Sequence, residues 1–333
     1  MKILGQGQVH FYERIDECPH TPGNEELWQE SFALFTWDVK QQVFVFLRLS
    51  QEPNRGKGYT TAWVNVWTQE KIFKHTDDSI PFATGDRTDN SLNAGNGRCG
   101  YAYDGKHNWA VNDGDVQLRI SMEDHHPGFG FWPAGDNNLA KETGKNHIEA
   151  TGEVSGEVIV CGKRYDFSGI GWRDHSWGKR NWRGIRAHRY YAGILDDGFR
   201  FFGITMVGAD GGMVRIGTII RGDTVQATTD FDIVAFIGED GISNYGGKVL
   251  LKLDGQVEEL HFEPFAKSVV SLHQDCVISD GMCKVTMGGR TGVGISESSN
   301  NAHGGLNRPN VFPHSKGILE NGTFANVPTG VLA

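Results

Sequence analysis

Gln42–Ser50 reads QVFVFLRLS. In extended form it sends Val43, Val45, Leu47 and Leu49 to one face and Phe44, Phe46 and Arg48 to the other. A strand with one wet face alternates apolar with polar residues, whereas one that is apolar on both faces belongs in the middle of a closed or covered sheet. Ser31–Asp38, which ends in Trp37-Asp38, precedes it across a short polar turn and supplies a hairpin partner. Ala62–Thr68 then places Trp63, Asn65 and Trp67 on one face and Val64 and Val66 on the other. An amide between two indoles reads either as the lining of a cavity or as a hydrogen-bonded core Asn.

The same order returns later in the chain. Ala187–Asp196, a turn at Asp196–Gly198, Phe199–Val207 and Gly212–Ile220 form a second aromatic hairpin and its neighbour, with Phe44 matched to Phe199 and Phe46 to Phe201 at an offset of 155 (199 − 44). A unit of about 155 residues is the size of one eight-stranded up-and-down barrel, which closes its own edges and can hold one small ligand. Further strand patterns lie at Asp230–Phe236, Lys248–Asp254, Val257–Phe262, Cys283–Gly288 and Gly292–Glu297. The expectation is an all-β chain of two tandem antiparallel β-barrels, residues 1–165 and 166–333. Thr21–Gln29, with Pro22 at a first helical position, reads as two helical turns. Phe82–Arg98 and Ser298–Val311 read as long polar loops.

Composition agrees. The 333 residues exceed what a single core usually serves, and 45 Gly among short aromatic and β-branched runs point to tight turns between strands. A net charge of −9 with dispersed basic residues lacks the stripe of a nucleic-acid binder. The short cluster Lys179, Arg180, Arg183, Arg186 and Arg189 reads as an anion site or as a solvated rim. No run reaches the length of a membrane helix, and the polar turn after Leu4 lacks a signal-peptide core, so a cytoplasmic chain is expected. Five scattered cysteines give no disulfide framework and no zinc ribbon. Cys161 lies in a hairpin-like run and is expected to have no nearby basic group arranged to make it a thiolate.

Gly169–Trp182, GIGWRDHSWGKRNW, is the stretch least suited to a plain core. Alternation puts Arg173, His175 and Trp177 on one face and Trp172, Asp174 and Ser176 on the other, so each face carries ionisable groups beside an indole. Such groups are costly in low dielectric unless paired. This is the composition of a pocket wall, or of a buried Arg–Asp–His network that fixes the register of a barrel strand. Nucleophile elbows, phosphate loops and HExxH are absent. His125-His126 and Glu123-Asp124 could meet a metal only with help from His188, and strand neighbours face opposite ways, so no metal and no cofactor are expected. Acid/base chemistry remains, with Asp174, His175, Tyr190, Tyr191 and Glu297 as candidate catalytic groups. Trp37, Trp63, Asn65, Trp172, Arg173, Trp177 and His188 are the candidate substrate contacts. A carboxyl desolvated by indoles delivers a proton near neutral pH, and Trp faces steady a developing cation. Gly171 and Gly178 are sites where a bulge would turn Asp174 and His175 to one side.

The run Gly169–Arg180, GIGWRDHSWGKR, resembles the G-x-R-D-x-S-W-G-x-R signature of the carotenoid 1,2-hydratase (hydroxyneurosporene synthase) group. The resemblance extends to Tyr165–Phe167, to Tyr190-Tyr191 and to the G-x-G-x-x-E ending at Glu297, and covers mainly residues 147–297. It implies lipocalin-like barrels packed against each other and cofactor-free lyase or isomerase chemistry on isoprenoid or polycyclic substrates, with fungal pericyclases among the relatives. It also matches His175 and Trp177, with Asp174 beside them, to positions tied to hydratase activity. The reading is a cofactor-independent hydro-lyase or isomerase acting on an apolar terpenoid, steroid-like or alicyclic molecule. The alternatives are a non-catalytic carrier of such a molecule and a pericyclase that shapes a polyene.

Overall fold

The computed structural model describes residues 2–4, 9–131, 146–208, 212–238, 242–301, 318–319 and 323–324. The chain is all-β, with two curled, nearly closed antiparallel sheets. Only 3-10 turns interrupt the strands among the described residues, at Arg14–Glu17, Thr84–Asp86 and Trp182–Gly184. No helix there is long and apolar enough to cross a membrane.

The N-terminal unit comprises His10–Gly130 and Gly144–Arg180. Its strands run in the order Ile72–Pro81, Tyr59–Trp67, Val43–Glu52, Trp28–Asp38, Lys163–Lys179, Asn146–Val160, Val116–Asp124, His107–Asp113, Cys99–Tyr103 and Ser91–Ala94. Neighbours in sequence pair as hairpins, and Lys163–Lys179 returns to lie beside Trp28–Asp38, which brings the two ends of the meander together. Every residue of Trp28–Asp38 and Val43–Glu52 is buried, so both faces of these strands are covered. The two faces differ in chemistry. Phe32, Leu34, Val43, Val45, Leu47, Leu49, Val64 and Val66 join one aliphatic core with Val154, Val158 and Phe167. The opposite face of the same strands carries Phe35, Trp37, Phe44, Phe46, Arg48, Trp63, Asn65 and Trp67, also buried.

The C-terminal unit begins at Asn181 and includes the strand Lys2–Leu4, which pairs in parallel with Thr224–Thr228. Its path repeats that of the first: Thr224–Thr228, Met213–Arg221, Arg200–Gly208, Ile185–Leu195, Arg290–Asn301, Cys276–Met287, Gln256–Pro264, Asn244–Leu253 and Phe231–Ile237. The repeat of order is present, but the offset of 155 is one residue out of phase. Phe201 lies in the core cluster of its unit while Phe46 lies on the face away from its own. A slip of one residue exchanges the faces of a strand, and identity between aromatics cannot detect it.

Three other expectations are corrected. The change of unit falls after Arg180, because the long strand Lys163–Lys179 spans 165/166 and pairs on both sides within the N-terminal unit. Thr21–Gln29 is not helical: Asn54 Nδ2 donates to the carbonyls of Gly23 and Glu25, and Trp28 already begins a strand. Phe82–Arg98 is partly ordered structure, since alternate burial of Leu92 and Ala94 makes Ser91–Ala94 a strand. Ser298–Asn301 continue a strand, and the rest of that expected loop, 302–311, is outside the described residues.

Glycine is required at Gly156, where φ is +147° and a Cβ would stand 2.1 Å from the Arg119 carbonyl oxygen. Leu47 sits in the aliphatic core with no exposure. Leu47→Ala is expected to cost about 2–5 kcal/mol in denaturant unfolding, whereas Leu272→Ala, at an exposed position, stays within about 0.5 kcal/mol of the parent.

Candidate functional site

Residues paired across antiparallel strands share a face, so the register reads out the layout of the aromatic face directly. One row runs Glu149, Asp174, Ala33, Arg48, Trp63, and the next runs Thr151, Trp172, Phe35, Phe46, Asn65. Phe35 stacks on Phe46 with centroids 4.2 Å apart, and the Arg48 guanidinium lies 4.7 Å over the Trp63 ring. Trp37, Trp63, Asn65, Trp172 and Asp174 of the expected site therefore do share one surface.

Asp174 stands at the edge of this surface, partly exposed, with no hydrogen-bond partner for its carboxyl among the described residues. Burial, with the negative charge of Glu149, raises it from its ordinary value to about 6 against the pull of His147, Arg180 and Arg48. His147 Nε2 is 2.7 Å from Glu149 Oε1, and burial pushes this imidazole down to about 4, so it is neutral at pH 7 and donates to the carboxylate. Trp172 Nε1 donates to the other Glu149 oxygen. Neither His147 nor Glu149 was expected from the sequence, yet they stand two apart in Asn146–Val160, which is the spacing that puts two side chains on one strand face.

His175, Arg173 and Trp177 point the other way. Pairing is unbroken from Lys163 to Lys179, so the bulge that would unite Asp174 with His175 is absent. Arg173, expected as a substrate contact, is buried and holds Glu17 at 2.7 Å and both oxygens of Asp124, which also meets His107 at 3.2 Å. This is the register-fixing Arg–Asp–His network. His175 stacks on Phe32 at 3.9 Å and contacts Glu30 at 2.9 Å. Glu30 in turn takes His20 at 2.8 Å and the Arg87 guanidinium, and His20 stacks on Trp177 at 3.9 Å. Burial works to raise the Glu30 carboxyl, but hydrogen bonds from His175 and His20 and the charge of Arg87 hold it down at about 2.

In the C-terminal unit, Tyr190, His188 and Glu297 share a face. His188 Nε2 meets Glu297 Oε1, and Ser299 Oγ lies 2.7 Å from His188 Nδ1. Tyr191, expected as a catalytic group, faces the core instead and donates to the Gly246 carbonyl at 2.9 Å. A groove of about 740 Å³ in this unit is lined by Asn244, Tyr245, His261, Glu263 and Lys267 and contains none of the expected residues. Cys161 does have a basic neighbour, Lys71, 90 residues away in sequence, with Nζ 2.6 Å from the sulfur, contrary to expectation.

Three sets of donor atoms lie within metal-ligand reach: His20, Glu30, His175; Glu17, His107, Asp124; and His147, Glu149, Asp174. In the first two an Arg guanidinium already pairs with a carboxylate of the set, and in the third both His147 and Asp174 are partly exposed. His125 and His126 bond separately, to Glu153 and Thr151, and do not converge.

A family model described as a domain of unknown function, DUF7064, matches residues 13–302. No curated protein matches the chain. Among solved structures, an AttH protein from Nitrosomonas europaea is 14% identical over 84% of this chain and 94% of its own, with a TM-score of 0.65. Kievitone hydratase from Nectria haematococca is 11% identical over 87% and 93%, at 0.58, and CghA is 8% identical over 88% and 98%, at 0.56. These likenesses establish a shared fold.

The Glu30 carboxylate gives a signed test. Its folded value lies below the ordinary 4.5, so it contributes stability above about pH 4.5 that is lost as pH falls toward 2. Glu30→Gln is expected to melt below the parent at pH 7, with the gap closing as the pH approaches 2.

Proposed function

We propose that this chain, which belongs to the DUF7064 family, is a cofactor-independent hydro-lyase or isomerase acting on an apolar alicyclic substrate of terpenoid or steroid-like type, with Asp174 as its acid. The observation that carries the reading is a carboxyl group held near pKa 6, without a hydrogen-bond partner, at the edge of a buried wall of indoles. The fold it shares with a hydratase agrees with this reading.

In the hydration direction Asp174 gives its proton to one alkene carbon, and the π electrons form that C–H bond. Positive charge develops at the other carbon, where the face of Trp172, the next same-face residue to Asp174, stabilises it. Water attacks that carbon, and its surplus proton passes to the Glu149 carboxylate, whose hydrogen bond from neutral His147 fixes its orientation. Dehydration is the reverse. Loss of a neighbouring C–H proton in place of water capture gives isomerisation.

Incubation with candidate alkenes or tertiary alcohols in heavy-oxygen water tests the reaction class: label uptake is expected in the parent. Tight binding of the whole panel with no label in any product would identify a carrier instead. Asp174→Asn is expected to slow the chemical step by about 10²–10⁴-fold with little change in KM.

The same variant has a stability signature. Because Asp174 is raised from 3.8 to about 6, the folded state binds the extra proton in that window, and stability falls as pH rises through it. Asp174→Asn should therefore raise the Tm at pH 7.5 and leave it unchanged at pH 4.

Treatment with EDTA is expected to leave the rate unchanged. Loss of activity restored by a divalent cation would make His147, Glu149 and Asp174 a ligand set rather than an acid centre.

A further inference from the structure

The strand Asn244–Leu253 opens with Tyr245 followed by two glycines. Both have positive φ, +81° at Gly246 and +157° at Gly247, and a Cβ on Gly246 would stand 2.0 Å from the Phe262 carbonyl oxygen, so glycine is required there. Pairing with Phe231–Ile237 jumps at this point from Ala235 and Gly247 to Ile237 and Asn244, which leaves Tyr245 and Gly246 together opposite Phe236. This is a β-bulge, a feature that bends a strand and re-aims a side chain. Asn244 fixes it. Its Nδ2 donates to the carbonyls of Ser279 and Ser296, its Oδ1 accepts from the Gly246 N–H, and its own N–H donates to Ser268 Oγ. The Tyr245 ring is left 39% exposed.

On its other side the same strand loses its partner. Pairing with Gln256–Pro264 ends at Gly247 and Phe262, and Glu263 and Pro264 pair with Lys284 and Cys283 instead. Where that pairing ends lies the groove of about 740 Å³, within the range of about 300–1,000 Å³ that small-molecule sites occupy. Phe236 and Phe262 are its more deeply set lining, and Tyr245, His261, Glu263 and Lys267 are its exposed lining.

We infer that this groove binds a neutral saccharide, with the Tyr245 ring as the platform on which one sugar ring stacks and with Glu263, His261 and Lys267 reading its hydroxyls. An exposed lining of one anion, one cation and one imidazole matches no strongly charged ligand, and a nucleic acid is opposed further by the net charge of −9. An apolar molecule would press on these three groups and strip their water at a cost. A sugar hydroxyl donates and accepts at once, so a carboxylate takes its hydrogen and an ammonium its lone pair. The C–H face of a sugar ring carries slight positive charge and lies well on the negative face of an aromatic ring. None of these residues belongs to the N-terminal unit, and the inference does not rest on the acid reading.

The test is calorimetry and saturation-transfer NMR on the full chain with cellotriose, maltotriose, xylotriose, mannotriose and the trimer of N-acetylglucosamine. At least one is expected to bind with a Kd of about 1 mM or tighter. Tyr245→Ala is expected to weaken that binding at least about tenfold, while Tyr245→Phe holds it within about threefold, because the ring and not its hydroxyl is the platform. Glu263→Gln, expected to weaken the same binding about fivefold through loss of a charge-assisted hydrogen bond, decides the matter if the Tyr245→Ala chain does not fold. No binding across the panel overturns the inference, and so does binding that survives Tyr245→Ala. Anilinonaphthalene sulfonate bound in the parent and lost in Tyr245→Ala, with no trisaccharide bound, marks an apolar-ligand groove and overturns it too. Asp174→Asn is expected to bind the trisaccharide as the parent does. If heavy-oxygen uptake fails in the parent while the trisaccharide binds, the acid reading falls and the saccharide groove stands.

Discussion

A sheet buried on both faces leaves no water to satisfy a stray polar group, and the N-terminal unit is organised around that constraint. Its strands Trp28–Asp38 and Val43–Glu52 have no exposed residue at all. Every charge placed on them needs a partner from elsewhere in the chain. Glu30 draws on His20, Arg87 and His175 together, and Arg48 lies over Trp63. Arg173, on the strand that closes the meander, is held by Glu17 and Asp124. These pairings hold the strands at one register, because a shift of one residue would carry each charge to the wrong face.

Against that background the residues of the proposed site are exceptions. Arg173 is held within its own unit by Glu17 and Asp124, and His175 meets Glu30. Asp174, between them in sequence, faces the opposite way with its carboxyl unpartnered among the described residues and its pKa raised. A charged residue in a fully paired network is held in one protonation state, whereas a half-desolvated carboxyl beside a second carboxylate can change state near neutral pH. Three successive residues thus serve two purposes through the period of two of a strand. The C-terminal unit repeats the path without repeating this wall. The face that bears Tyr190 and Glu297 is otherwise largely aliphatic, with Ile194, Ile204 and Met206.

The sequence alone determined the all-β architecture, the doubled meander and the position of most strands, because alternation and apolar runs are local signals carried by contiguous residues such as Gln42–Ser50. It also determined which residues of Gly169–Trp182 could share a face. What it left open was which face does chemistry, since Arg173, Asp174 and His175 are alike in polarity and differ only in what reaches them from elsewhere in the chain. Glu17, His20, Asp124 and His147 arrive from other segments, from 27 (174 − 147) to 156 (173 − 17) residues away, and nothing local announces them. The failed helix at Thr21–Gln29 and the slipped repeat at Phe201 have the same origin: an Asn54 side chain in one case and the parity of a buried strand in the other. Pairing partners and the sidedness of a covered sheet are properties of the assembled barrel, because hydrogen bonding and desolvation are settled only when distant strands meet.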